Sequence, residues 1–151
     1  HCDEFIALLN SEVREELNTR NKLIEYSDSV MFHRNALIKV IDEFLLQGKT
    51  ISALGASTKG NVLLQYCSLD RTKISMIGDV NQDKFGCVTP GTHIPIVPES
   101  KVFELNPDII LILPWHFEET FTKKTKSFVK NGGIVIFPLP TIKLLGHSVA
   151  S

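Results

Sequence analysis

Residues 55–61 read Gly-Ala-Ser-Thr-Lys-Gly-Asn, directly after the apolar run Ile51 to Leu54 and directly before a helix-like stretch. Small residues at a strand-to-helix junction permit a tight turn. The first amides of the following helix have no carbonyl partners inside it and favour an anion. Ser57, Thr58, Lys59 and Asn61 add side-chain donors, and Gly60 lets backbone approach closely. The chemistry this points to is the cradling of a phosphate. The spacing is neither G-x-x-x-x-G-K-[ST] nor G-x-G-x-x-G. A plain structural turn with a solvated Lys59 is the competing reading.

Three further stretches carry candidate groups. Asp79 ends a second apolar run, 24 positions after Gly55. An acidic residue about 20 positions after a glycine turn takes a ribose hydroxyl in dinucleotide folds; a turn or capping Asp is the alternative. Next comes KFGCVTPGTHIPIV, Lys84 to Val97, holding Thr89, Gly91, Thr92 and His93. Its Pro90-Gly91 pair favours a type II turn. Because the loop follows the second strand, it is expected to fold over the same rim, with His93 donating to a phosphate or satisfied by loop backbone. In LPWHF, Trp115 is the one tryptophan. It either stacks on a base or sugar or plugs the core, and His116 is a ligand donor or a helix-start residue.

The elements that must position these groups follow from periodicity. Ile6, Leu9, Val13 and Leu17 recur at helical steps, and residues 18–21 break the pattern. A second helix is expected after Ser27-Asp28-Ser29, any of which can cap it. Leu37, Ile41, Phe44 and Leu45 share one of its faces, and Gly48 ends it. From Thr50 onward, apolar runs at Ile51 to Leu54, Ile74 to Ile77, Ile94 to Val97, Ile109 to Leu113 and Ile134 to Phe137 read as strands buried on both faces. Helices are expected between them at Lys59 to Cys67, Glu99 to Leu105 and Phe117 to Lys130, the last with Phe117, Phe121 and Phe128 on one face. Such alternation implies a doubly wound, mostly parallel α/β sheet preceded by N-terminal helices. Residues 1–48 are the helical packing or linking segment and 49–151 the α/β domain, forming a single globular unit. In such sheets ligands sit at the carboxyl ends of the strands. Residues 55–61, Asp79, residues 84–97 and residues 113–117 are therefore expected to converge there.

Composition narrows the function. A formal net charge of -1 argues against nucleic acid, whose binders carry a basic face. No apolar run approaches the ~20 residues of a membrane span. Cys2, Cys67 and Cys87 are odd in number and lack a Cys-x-x-Cys pair, so neither a disulfide framework nor a zinc site is expected, and a reducing cytoplasm is the simplest compartment. No nucleophile has an evident base partner and no metal-ligand spacing occurs. His33 and His147 read as structural or incidental, the helical Phe residues as core, and Lys123 to Lys126 as a solvated face. The chain opens on His1 rather than Met and is expected to be a piece of a longer protein.

GASTKGNVLLQYC, DVNQDKFGCVTPGTHIPIV, PDIILILPWHF and GGIVIFPLP, in that order, resemble the C-terminal domain of sugar C-methyltransferases. The resemblance covers about Leu37 to Leu145. It implies a Rossmann-like domain that helps hold a nucleotide-sugar, a thymidine-linked deoxyhexose, for S-adenosylmethionine-dependent methylation of a sugar carbon. It also implies upstream domains that bind zinc and S-adenosylmethionine and supply the acid-base residues. This chain then binds neither cofactor, carries no catalytic residue and is inactive alone; its partners are the nucleotide-sugar and the upstream methyltransferase domain. Carried across, Ser57, Thr58, Lys59 and Asn61 lie near the diphosphate or sugar, Thr89, Gly91, Thr92 and His93 form a facing loop, and Trp115 and His116 complete the rim. Cys87 departs from the basic or bulky polar residue expected at its position. Two other readings compete: a CoA- or nucleotide-binding regulatory domain, which leaves the long TPGTHIPI loop unexplained, and a purely structural domain that shapes a neighbouring site.

Overall fold

The continuous apolar runs become the centre of one sheet. The computed structural model describes residues 2–17 and 19–146; His147 lies outside them. The strands are β1 Ile51–Leu54, β2 Ile77–Asp79, β3 Ile96–Pro98, β4 Ile109–Ile112, β5 Ile134–Phe137 and β6 Lys143–Leu145. Their order is β3-β2-β1-β4-β5-β6. All neighbours are parallel except β6, which runs antiparallel to β5. The order reverses between β1 and β4, the place where doubly wound sheets open a crevice at their carboxyl edge.

Every residue of β1 and β4 is buried. Period-two alternation sends their side chains into two separate cores. Ile51, Ala53, Ile109 and Leu111 join Leu37, Ile41 and Phe44 of helix α2 (Arg20–Leu46) and Leu63 and Leu64 of α3 (Thr58–Tyr66). Leu54, Ile110, Ile112, Val135 and Phe137 join Val102 of α4 (Glu99–Leu105), Phe121 of α5 (Glu118–Lys124) and Phe128 of α6 (Lys126–Lys130). Helices therefore cover both faces, which is why these strands read as unbroken apolar runs.

Packing divides the chain into two units, His1–Asn35 and Ala36–Ser151. The second holds the sheet. In the first, helix α1 (Cys2–Arg14) buries none of its residues. Phe5, Ile6, Leu9 and Val13 are each more than 40% exposed there.

Four local expectations change. The second helix runs through Ser27-Asp28-Ser29 and starts at Arg20 instead. Thr19 Oγ1 accepts from Lys22 N–H near that start, and Ser29 Oγ donates back to Tyr26 O, so the serine is absorbed within the helix. The single helix expected from Phe117 to Lys130 is a 3₁₀ turn (Trp115–Phe117) followed by α5 and α6. It breaks at Thr125, a buried β-branched residue whose hydroxyl donates to Phe121 O at 2.8 Å. Ile74 and Ile94 precede β2 and β3 as buried connectors, and Ile94 N–H is held by Thr89 Oγ1 at 2.9 Å. Finally β6, a strand that the apolar runs do not predict, adds an antiparallel edge.

Candidate functional site

The glycine turn follows β1 at the carboxyl edge and is held by protein on most sides. Gly55 has φ +81, and a Cβ placed there would meet Pro114 Cγ and Cδ at 2.5 Å. A Cβ on Gly60 would meet Leu113 Cβ at 2.6 Å. Both glycines thus serve the close approach of turn and helix to the end of β4. Ser57 caps α3, its Oγ accepting from Gly60 N–H at 3.0 Å. Ala56 N–H donates to Asp79 at 2.7 Å. Among the described residues, no acceptor takes the amides of Thr58 and Lys59. Those two amides open the helix beside the exposed Lys59 side chain, which forms no ion pair among the described residues. Asn61 Oδ1 is a buried acceptor with no partner among them.

Asp79 is only 6% exposed. Its oxygens accept from Ala56 N–H at 2.7 Å, Asn81 N–H at 2.8 Å and Lys84 Nζ at 3.1 Å. Lys84 Nζ also donates to Ala56 O at 2.9 Å. Burial by itself pushes the Asp79 carboxyl up. The hydrogen bonds from Asn81, Lys84 and Ala56, with the Lys84 charge, outweigh it and hold the group below the usual carboxylate range. Asp79 is thus a latch for the glycine turn, with both its oxygens engaged by protein donors. This bonding realises the turn-holding alternative read for Asp79 from the sequence. Lys84 is a positioning residue for the turn that sequence reasoning did not single out; its signal was a lysine five positions after the strand-end Asp, close enough to fold back.

The Lys84 to Val97 loop also departs from expectation. Beyond the 3₁₀ turn Gln82–Lys84 the chain reverses: Gly86 N–H donates to Ile96 O at 3.0 Å, Ile96 N–H to Cys87 O at 2.9 Å and Thr89 N–H to Ile94 O at 2.9 Å. The hairpin tip, residues 90–93, therefore reaches the amino edge of the sheet. There Gln65 Nε2 donates to Pro90 O at 2.8 Å and Arg71 N–H to Thr92 O at 3.2 Å. Pro98 pairs with Asp79 at the other edge. Thr92 lies six positions before it, beyond the start of β3 at Ile96. Thr89, Gly91, Thr92 and His93 are thus not brought to the glycine turn. Thr89 and Thr92 are buried and share a 2.6 Å hydroxyl hydrogen bond. Gly91 adopts φ +76 and His93, exposed, φ +55.

The β4 end does meet the turn, through Pro114. Trp115 packs partly buried against both cores, so it plugs the top of the sheet. His116 is exposed. Phe117, expected in the core, is 56% exposed, while Phe121 and Phe128 are buried at 8% and 9%.

Ser57, Thr58, Lys59, Gly60, Asn61, Trp115 and His116 accordingly share the carboxyl edge. The arrangement offers two unpaired amides, one free ammonium and an aromatic surface, which suits an anion attached to something flat. Among the described residues no group of three or more His, Cys, Asp or Glu could hold a metal. None of the described helices is long and apolar enough to cross a membrane.

The family model for the C-methyltransferase C-terminal domain matches residues 2–140. The C-methyltransferase NovU of Streptomyces niveus is 31% identical over 112 residues, which is 74% of this chain and 27% of that protein. The match therefore spans about a quarter of that relative's length.

Proposed function

The chain belongs to the C-methyltransferase C-terminal domain family, and on that premise we propose that it holds the nucleotide-sugar substrate of a C-methyltransferase. In this reading it is the nucleotide-sugar domain of an enzyme that methylates a carbon of a thymidine-linked deoxyhexose. Methyl transfer is the work of another part of the longer protein, and this chain is inactive by itself. The observation that carries the proposal is the end of β1: amides of Thr58 and Lys59 with no acceptor, and a lysine with no ion pair, among the described residues, at the point where the strand order reverses. The diphosphate lies over those amides, with Lys59 as its counter-charge. Asn61, half-buried on the same turn, lies near the diphosphate or sugar.

S-adenosylmethionine fits these residues poorly, because the carboxylate at the end of β2, that of Asp79, is buried and holds the glycine turn through both its oxygens. Zinc has no ligand cluster among the described residues. Both cofactors are assigned to the rest of the protein. No disulfide joins Cys2, Cys67 or Cys87, which suits the cytoplasm as the compartment.

Calorimetric titration of the chain with thymidine diphosphate, with CoA and S-adenosylmethionine as controls, tests the reading. Thymidine diphosphate alone is expected to bind. Lys59→Ala should change folding stability by less than ~0.5 kcal/mol, as exposed substitutions usually do. It should weaken thymidine diphosphate about tenfold or more, since a charge-assisted hydrogen bond contributes ~1.5–3 kcal/mol. Preferential binding of CoA would overturn the assignment, and unchanged affinity in Lys59→Ala would remove the lysine from the site.

A further inference from the structure

We propose that the exposed ring pair His116–Phe117 is the stacking platform for the base of a nucleoside diphosphate, and that Trp115 is not. The platform rests on the nucleotide-sugar reading above and extends it to the other end of the ligand.

Trp115 is the large aromatic that residue type alone favours for stacking, yet its ring is committed to both cores. The two residues after it are free. His116 is exposed and Phe117 is 56% exposed. Their ring centroids are 4.3 Å apart at an interplanar angle of 43°. The 3₁₀ turn that carries them is closed by Phe117 N–H donating to Pro114 O at 3.0 Å. Pro114 in turn lies against Gly55. The platform is thus anchored through Pro114 to the start of the glycine turn, at the same edge of the sheet as the amides of Thr58 and Lys59.

Phe117 has no core role to account for it. The other two aromatics of the segment fill the core, as buried Phe121 and Phe128. An apolar ring left in water gains by covering a planar partner, and base-on-aromatic stacking is tolerant of which base is present. A nucleoside diphosphate has a flat group at one end and an anion at the other, matching the two features found here side by side. An anion site alone would call only for phosphate; the adjacent rings call for a nucleotide.

The chain should be titrated with thymidine diphosphate and, separately, with inorganic pyrophosphate, in wild type, Phe117→Ala and Phe117→Tyr. Phe117→Ala is expected to weaken thymidine diphosphate about tenfold and leave pyrophosphate unchanged, while Phe117→Tyr restores wild-type affinity. Equal affinity of wild type and Phe117→Ala for thymidine diphosphate would overturn the platform but leave the nucleotide-sugar reading standing. So would pyrophosphate binding as tightly as thymidine diphosphate. Failure of wild type to bind either ligand would instead overturn the anion site, and the platform with it.

Discussion

Gly55→Ala is expected to lose roughly 2–5 kcal/mol of stability, from a left-handed backbone cost of ~1–2 kcal/mol and overpacking of ~1–3 kcal/mol. Gly55 sits at φ +81, and the added methyl would fall 2.5 Å from two atoms of the Pro114 ring. Proline cannot swing aside as a flexible side chain can, so either the turn or the end of β4 must shift. Gly48→Ala is the matching control. Gly48 has φ +76, but an added methyl there would meet nothing within 4 Å, so only the backbone cost of ~1–2 kcal/mol applies. Urea unfolding of the two variants separates conformational strain from the steric term. Equal losses would mean that the Pro114 contact contributes nothing. Because Pro114 also anchors Trp115–Phe117, Gly55→Ala should disturb the environment of the single tryptophan, which its fluorescence would register.

Asp79→Ala should cost about 2–4 kcal/mol, because it leaves part-buried donors without an acceptor and Lys84 without its counter-charge. The groups stranded are the amides of Ala56 and Asn81 and the ammonium of Lys84. The effect reaches the candidate site, since Ala56 is bound at both its N–H and its C=O by this latch. A pH dependence accompanies it. The Asp79 carboxyl is held below its ordinary value of 3.8 in the folded chain. Its stabilisation is therefore complete above that value and is lost as pH falls through the folded one. Asp108 adds to the same trend: the Thr50 amide and then Lys49 hold its carboxyl low as well. Unfolding followed from about pH 6 downward should show wild type losing stability in acid, with a shallower slope in Asp79→Asn. Identical slopes would show that Asp79 is not the titrating latch.

Much of this was legible in the residues alone. Ile51 to Leu54 and Ile109 to Leu113 are apolar with little interruption, and only burial on both faces makes that pattern favourable, so parallel strands and the doubly wound class followed. The glycine turn was placed by local signals, small residues at a strand-to-helix junction, and the helix Glu99 to Leu105 by its position between two apolar runs. These depend on neighbours a few positions away, which a sequence displays directly.

What the tertiary structure decided depends on partners distant along the chain. The loop around Pro90-Gly91 contains the same turn chemistry wherever it points; the pairing of residues 86–89 with 94–96 sends it to the amino edge. Asp79 has the position of a ribose acceptor, but Ala56, 23 residues earlier, and Lys84 occupy it first. Lys143-Leu144-Leu145 is too short and mixed to declare a strand and becomes one because β5 offers an open edge. Trp115 takes the core-plugging alternative and Phe117, expected in the core, stays in solvent, because residues 115–117 form a 3₁₀ turn and the helix starts only at Glu118. Residue type and spacing determined which elements form and what chemistry they can carry. Long-range hydrogen bonds and steric contact determined which of those groups stand free at one edge, because a donor already satisfied by protein is unavailable to a ligand.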